Sequence, residues 1–210
     1  MSAFASPPCF AHEFEPDPVQ QADVARWRKA ERARLIALRM ATGVAFRAAL
    51  DAAIATRLDA ELGDVSGAVV SAWWPFRAEP DLRAWMKVAT ARGAVCALPV
   101  VVAKGAPLIF RAWADGDRLE RGVWNIPVPA DGPTVAPDIV LAPVVGFDPA
   151  CYRLGYGGGF YDRTLAAMPA RPRVIAIGYA FAAIPTIFPQ PHDIAMDAVI
   201  TETATHRPAP

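Results

Sequence analysis

Residues 153–163 read Arg-Leu-Gly-Tyr-Gly-Gly-Gly-Phe-Tyr-Asp-Arg, with glycine at four of the five positions from 155 to 159. Glycine has no Cβ, so backbone N–H groups there can close on a phosphate, and a helix that starts behind the loop adds favourable partial charge. The apolar run 138–147 ahead of the loop predicts a buried strand, and 160–168 predicts a helix. Strand, glycine loop and helix together make an anion-binding layout, bracketed by the fixed charges of Arg153 and Arg163. Asp162, just inside the helix, is placed to hold a metal ion. The loop matches neither common nucleotide fingerprint. A dinucleotide G-x-G-x-x-G counted from Gly155 needs glycine where Phe160 stands, and a P-loop needs a lysine that is missing. The plain alternative is a tight glycine turn with no ligand.

Other residues with chemistry in them lie far from the loop in sequence. Arg28 and Arg32 are four apart, on one face of a predicted helix, and such a pair grips a polyphosphate from one side. A solvated basic face is the competing reading. Trp73, Trp74, Phe76 and Glu79 combine aromatic surface with a carboxylate, which suits a flat heteroaromatic ligand with N–H donors. Strand-end packing would use the same residues. Trp124-Asn125 in an irregular stretch is either a ligand contact or a loop anchor. His192-Asp193, with Asp197 nearby, offers a second carboxylate: Asp193 with Asp162 around one divalent cation, or a local turn.

The elements that must position these groups can be read from the pattern. The chain has 210 residues and predicts one large domain. Its formal net charge is zero, so no global field recruits nucleic acid or an anionic membrane. No apolar stretch approaches the ~20 residues of a membrane span, and the proline-rich start lacks the pattern of a signal peptide. A soluble, cytoplasmic monomer is the expectation. Cys9, Cys96 and Cys151 are scattered, with no C-x-x-C, which argues against a structural zinc site. Cys96 reads as core, and Cys151, beside the loop, as either core or a reactive thiol.

Residues 1–18 read as a disordered or extended segment, with Asp17 and Pro18 as a helix start. Helices are expected over 19–40 and 44–62, the second stopped by Gly63. Strands follow at 68–74, 94–102, 107–113, 139–147, 173–179 and 198–201, with a helix over 80–91 started by Pro80. Segment 103–137 breaks the alternation and predicts a hairpin or loops. The domain is therefore bounded at 19–202, with 203–210 left to fray. The pattern predicts a single three-layer α/β domain, a mostly parallel sheet covered by helices on both faces. In such folds ligands sit beyond the carboxyl ends of strands.

Taken in order, the 153–163 loop, Phe147-Asp148 before it, residues 75–79, Trp124-Asn-Ile-Pro127 and the His192-Asp193, Asp197, Thr201-Glu202 ending resemble the 5-formyltetrahydrofolate cyclo-ligase family, also called 5,10-methenyltetrahydrofolate synthetase. The resemblance spans about residues 27–202. It implies an ATP- and Mg²⁺-dependent enzyme acting on a reduced folate. Arg153, Leu154, Gly155, Tyr156, Gly157, Gly158, Gly159, Phe160 and Tyr161 would wrap the ATP phosphates. Arg28 and Arg32 would grip them from the first helix, with Lys29 as an alternative in that register. Asp162 and Asp193 would be the metal carboxylates, and Arg153 with Asp162 the catalytic pair. Glu79 would hold the pterin, with Trp74 and Trp124 lining the folate pocket. The chain departs from the family pattern in lacking a glutamine over 179–185 and in carrying Trp73-Trp74 and Arg77. A nucleotide-binding relative put to another use is the competing reading.

Overall fold

The computed structural model describes residues 18–209. The expected disordered segment and the Asp17 cap lie outside the described residues, apart from Pro18. The described residues open with two helices, α1 (Pro18–Ala41) and α2 (Val44–Leu62), the second stopped as expected at Gly63, which has φ +67°. Strand β1 (Val69–Ser71), helix α3 (Arg83–Ala91) and strand β2 (Val95–Val100) make the first parallel crossover. Then come β3 (Ile109–Ala112), the antiparallel hairpin of β4 (Leu119–Arg121) and β5 (Pro127–Pro129), and β6 (Thr134–Val135). The strand β7 (Ile139–Pro143) is followed by a small antiparallel pair, β8 (Gly146–Phe147) and β9 (Arg153–Leu154), and by α4 (Phe160–Ala167). The chain closes with β10 (Arg173–Ile177), β11 (Ala198–Ile200) and β12 (Thr205–His206).

The main sheet has the order β12-β11-β10-β7-β1-β2-β3-β6. The five strands from β11 to β2 are parallel, and β3, β6 and β12 are antiparallel at the edges. Strand side chains alternate between two cores with period two. Leu141, Ile175, Ile177 and Ile200 pack with Ile54 and Leu58 of α2 and Trp85 and Met86 of α3. Val140, Ala142, Val174, Ala176 and Val199 pack on the other face with Leu165 of α4. Both faces are covered, which is why the central strands read as continuous apolar runs.

Several boundaries move from the sequence expectation. The strand expected over 139–147 stops at Pro143, and the main chain turns into the β8–β9 hairpin, so the glycine loop leaves that hairpin rather than a parallel strand. The buried Asp148 explains the turn: its carboxylate accepts from the N–H groups of Ala150 at 3.1 Å, Tyr152 at 3.0 Å and Ile187 at 3.1 Å. Helix α3 starts at Arg83 and not at Pro80, because Asp81 accepts the Arg83 N–H at 3.0 Å and opens the helix there. The tail left to fray contains β12, whose Thr205 and His206 pair with Ile200 and Val199 and protect the sheet edge.

The connections fix the site. From β1 the chain moves outward to β2 and β3. From β7, the other neighbour of β1, it moves the opposite way to β10 and β11. The order therefore reverses between β1 and β7, and a crevice opens past their carboxyl ends.

Candidate functional site

A cavity occupies that crevice. Trp73, Trp74, Phe76 and Glu79 enter it from the segment after β1, Leu98 and Pro99 from β2, and Pro143 from the end of β7. Residues 153–162 form one wall, Trp124 and its neighbours adjoin it at Phe160, and Arg28, Arg32, His192 and Asp193 complete the lining. Most of the residues expected at the site line this cavity; Lys29, Asn125 and Arg163 do not. The Arg163 guanidinium turns back onto the loop and donates to the Gly159 carbonyl at 3.2 Å. Lys29 stays outside for a simple reason. That side chain is exposed on α1, one position round from the buried Arg28, so the alternative register does not reach the lining.

Helix α1 reaches the site through one stripe. Arg28, Arg32, Leu35 and Arg39 fall at i, i+4, i+7 and i+11, one face of a helix. Arg28 is buried and donates to the carbonyls of Ile187 at 2.8 Å and Phe188 at 3.0 Å, and to both oxygens of Asp193, one of them at 3.3 Å. Arg32 donates to the Gly155 carbonyl at 2.7 Å, which ties the helix to the glycine loop. Burial and the neighbouring Arg28 charge lower the Arg32 pKa.

The loop is built around backbone that side chains could not adopt or fit. Gly157 has φ +96°, in left-handed space that L side chains rarely enter. A Cβ on Gly155 would lie 2.7 Å from the Arg153 guanidinium. Leu154 contributes backbone only, since its side chain is buried with Leu35, Ile184 and Ile187. The Phe160 ring lies under the loop, 6.1 Å from the Trp124 ring. Arg153 donates to Asp162 at 2.7 Å and stands over the Tyr161 ring at 5.0 Å. Its Nε and the Tyr161 hydroxyl are buried without a hydrogen-bond partner among the described residues. Buried polar groups are rarely left unpaired, so both donors retain capacity for a further partner.

The two carboxylates expected to share a metal are each held by an arginine: Asp162 by Arg153, and Asp193 by Arg28. Backbone N–H groups add to both, Ile194 to Asp162 at 3.4 Å and Gln190 to Asp193 at 2.6 Å. Among the described residues no three His, Cys, Asp or Glu side chains form a cation cage. Mg²⁺ ordinarily takes one or two carboxylates with substrate phosphates. The two carboxylates fit Mg²⁺ that brings substrate phosphates with it, since those phosphates would offer Arg28 and Arg153 a partner in exchange.

At the other end Glu79 is buried. Its carboxylate accepts the Phe76 N–H at 3.0 Å and lies 4.0 Å from Arg39. Burial pushes its pKa up to about 7, against the pull of the Arg39 charge, the Phe76 N–H, the Tyr156 hydroxyl and the Trp73 indole. That indole N–H sits beside Glu79 without closing a hydrogen bond. Trp74 packs edge-on against Trp113 at 5.9 Å and carries Arg83 over its ring at 4.8 Å. Trp124 is more than half exposed and, with Asn125, has positive φ. Such strain in two successive residues persists where surrounding structure enforces it.

Two groups read differently in the sequence. Arg39 carried no role there, although its spacing from Arg28, Arg32 and Leu35 was the available signal. Cys151 has no reactive role: it is fully buried, and burial with the Asp148 charge pushes its thiol pKa up. Burial likewise raises Cys96 in the core.

Known proteins converge on one family. The model of the 5-formyltetrahydrofolate cyclo-ligase family matches residues 24–202. A 5-formyltetrahydrofolate cyclo-ligase of Mycolicibacterium smegmatis is 34% identical over 145 residues, 65% of this chain and 75% of that protein. The Mus musculus enzyme of that name is 30% identical over 95 residues, 40% and 47% of the two chains. Among solved structures, the 5,10-methenyltetrahydrofolate synthetase of Mycoplasma pneumoniae superposes with a TM-score of 0.70 at 23% identity, covering 83% of this chain and 98% of its own. That of Aquifex aeolicus gives 0.74 at 23%, covering 86% and 92%. These two establish the fold, and the family match extends from α1 through the end of β11: the chain belongs to the 5-formyltetrahydrofolate cyclo-ligase family.

Proposed function

We propose that the protein closes 5-formyltetrahydrofolate to 5,10-methenyltetrahydrofolate at the expense of ATP, releasing ADP and phosphate. One observation carries the reading. A single cavity joins a glycine loop flanked by Arg28, Arg32 and Arg153 to an aromatic wall that ends in the buried Glu79. The first end suits a polyphosphate. The second suits a pterin, flat and rich in N–H donors.

In this reading the glycine loop and the three arginines hold the ATP phosphates, and Glu79, Trp74 and Trp124 hold the folate. The formyl oxygen attacks the γ-phosphorus and ADP leaves. N10 of the same folate then attacks the phosphorylated formyl carbon, loses its proton, and phosphate departs as the ring closes. Phosphoryl transfer asks for alignment and charge neutralisation rather than a protein nucleophile. Joining both reacting nitrogens in one substrate supplies proximity. Arg153, with its Nε unpaired, would stabilise charge on the transferring group. Asp162 and Asp193 would hold Mg²⁺, which neutralises phosphate charge. The reading includes a cytoplasmic monomer without a nucleic-acid partner, in keeping with a formal net charge of zero.

The test is absorbance. The methenyl product absorbs in the near ultraviolet and the formyl substrate does not. A rise that requires ATP, Mg²⁺ and the purified protein is the expected result. No rise at saturating concentrations of all three would overturn the proposal.

A further inference from the structure

Arg39 is buried in α1 and its guanidinium is divided among three elements of the site. Nε donates to the Arg77 carbonyl at 2.9 Å, Nη1 to the Val144 carbonyl at 3.1 Å, and Nη2 to the Tyr156 hydroxyl at 2.5 Å. The first bond fastens the turn that carries Glu79, where Arg77 and Ala78 both have positive φ. The second fastens the chain just past β7. The third reaches the glycine loop, and the same Tyr156 hydroxyl lies 3.5 Å from the Phe76 carbonyl of the Glu79 turn. A charge-assisted network of this kind fixes geometry more tightly than neutral contacts do.

Its relation to Glu79 differs from that of two arginines lining the cavity, Arg28 and Arg153, to their carboxylates. Arg28 and Arg153 hydrogen-bond Asp193 and Asp162 directly. Arg39 stands 4.0 Å from Glu79, close enough to favour its charge and too far to use its oxygen as a hydrogen-bond acceptor. One Glu79 oxygen takes the Phe76 N–H, and the other keeps acceptor capacity for a ligand.

We propose that Arg39 is a positioning residue that holds the Glu79 turn with one carboxyl oxygen open to ligand N–H donors and ties it to the glycine loop through Tyr156. This rests on the folate reading above. Arg39 never meets either substrate. It acts on the folate end through charge and on the nucleotide end through Tyr156, so ordering of one half of the cavity is felt in the other. The groups facing Glu79 are Arg39 from α1, Tyr156 from the loop, Tyr161 from α4, and the Trp73 indole and Phe76 N–H from its own segment. Arg39 is the one cation among them. Burial holds both tyrosine hydroxyls protonated well above their ordinary range, which leaves Glu79 as the group that titrates near neutrality.

The experiment measures the affinity of the full-length protein for 5-formyltetrahydrofolate by calorimetry across roughly pH 5.5 to 9. Ionised Glu79 is the better acceptor, so affinity should rise with pH through the range near 7 in the unsubstituted protein. Losing Arg39 raises the Glu79 pKa further, so the midpoint of that rise should move up by about one to two pH units in Arg39→Gln. Arg39→Lys should restore most of the shift. A purely structural role would lower affinity at all pH values and leave the midpoint in place, and that result would overturn the inference. Tyr156→Phe, which spares Arg39, serves if Arg39→Gln does not fold. A non-hydrolysable ATP analogue should tighten folate binding several-fold in the unsubstituted protein, within the range usual for coupled sites, and much less in Tyr156→Phe. Equal tightening in both would overturn the link. If the unsubstituted protein binds ATP analogue but no folate at any pH, the functional reading falls and Arg39 with it. Binding with an unmoved midpoint removes Arg39 alone.

Discussion

The Arg153 guanidinium donates to the Asp162 carboxylate at 2.7 Å, from the start of the glycine segment to the first turn of α4. The two residues expected to work on phosphate and on metal thus neutralise each other. Arg28 and Asp193 repeat the arrangement next to it, with the Ile194 N–H beside Asp193 donating to Asp162 at 3.4 Å. Both ion pairs are largely withdrawn from water, where removing one partner strands the other charge. Mg²⁺ alone must displace an arginine to reach either carboxylate, whereas a nucleotide offers the arginines phosphates in exchange. Mg²⁺ binding measured by calorimetry is therefore expected to be weak on its own and at least tenfold tighter with a non-hydrolysable ATP analogue, an increment of about 1.4 kcal/mol. Equal affinity in both conditions would rule out the exchange.

Arg153→Ala tests the same pair through catalysis. Removing a group that stabilises charge on the transferring phosphoryl typically costs about 10²–10³ in turnover. That loss in kcat is expected here, with folate affinity little changed. Wild-type turnover in a folded variant would remove Arg153 from the catalytic set.

Gly157→Val should abolish tight ATP binding without unfolding the domain. At φ +96° a β-branched residue is strained, and its Cβ would lie 3.4 Å from the Arg32 guanidinium. The loop is anchored by Arg32 and by the buried Leu154, so the cost stays local. Calorimetry with an ATP analogue together with circular dichroism separates the two effects; unchanged affinity would reduce the loop to a turn.

Glu79 links binding to stability with opposite signs. Its pKa is near 7 in the folded protein and about 4.5 when free in solution. Between those values the folded state keeps a proton that the unfolded state has released, so stability falls as pH rises through this window. The stabilisation is complete below about pH 4.5 and is lost by the time pH passes about 7, roughly 3 kcal/mol at most for a shift of this size. The Glu79→Gln variant has no carboxyl to ionise there, so relative to it the native protein is expected to lose melting temperature from about pH 5 to pH 8. The folate affinity of the same variant should fall by about one to two decades, through loss of charge-assisted bonds. Parallel melting curves for the two proteins across that range would show that Glu79 ionises freely.

What the sequence made legible follows from how local each signal was. The glycine loop, Arg28, Arg32 and the aromatic segment ending in Glu79 were visible because residue type and spacing alone carry them. Strand alternation gave the layered fold, since Leu141 and Ile175 report burial on one sheet face and their neighbours Val140 and Val174 on the other. The β8–β9 hairpin was hidden because apolar residues continue from Ile139 to Phe147 past the breaks at Pro143 and Gly146, and the turn is made by Asp148 reaching Ile187 across the fold. Arg39 was hidden for a related reason: its partners lie at positions 77, 144 and 156, and a buried arginine looks like any surface arginine until those segments meet. The strand β12 was obscured by a short, proline-rich ending whose pairing depends on the neighbouring β11 edge.

Trp124 offers the sharpest test of the folate end, because stability and binding make different demands on it. Its ring touches Phe160 edge-on, yet 56% of the residue is exposed. An exposed side chain contributes little to the core, so Trp124→Ala is expected to leave the melting temperature nearly unchanged. Its positive φ, shared with Asn125, is more costly for a bulky residue than for a small one, which also argues against any loss of stability. A pterin entering between Trp124 and Glu79 would cover the ring that is now in water. Burying about 60 Å² of it at about 25 cal/mol per Å² is worth about 1.5 kcal/mol, or slightly more than tenfold in affinity. Calorimetry should therefore show 5-formyltetrahydrofolate binding weakened by about tenfold, with ATP affinity unchanged. The reverse pattern, a lowered melting temperature with normal folate affinity, would make Trp124 a loop anchor, and the aromatic wall at the mouth of the cavity would then have to be assigned to Trp73, Trp74 and Phe76 alone.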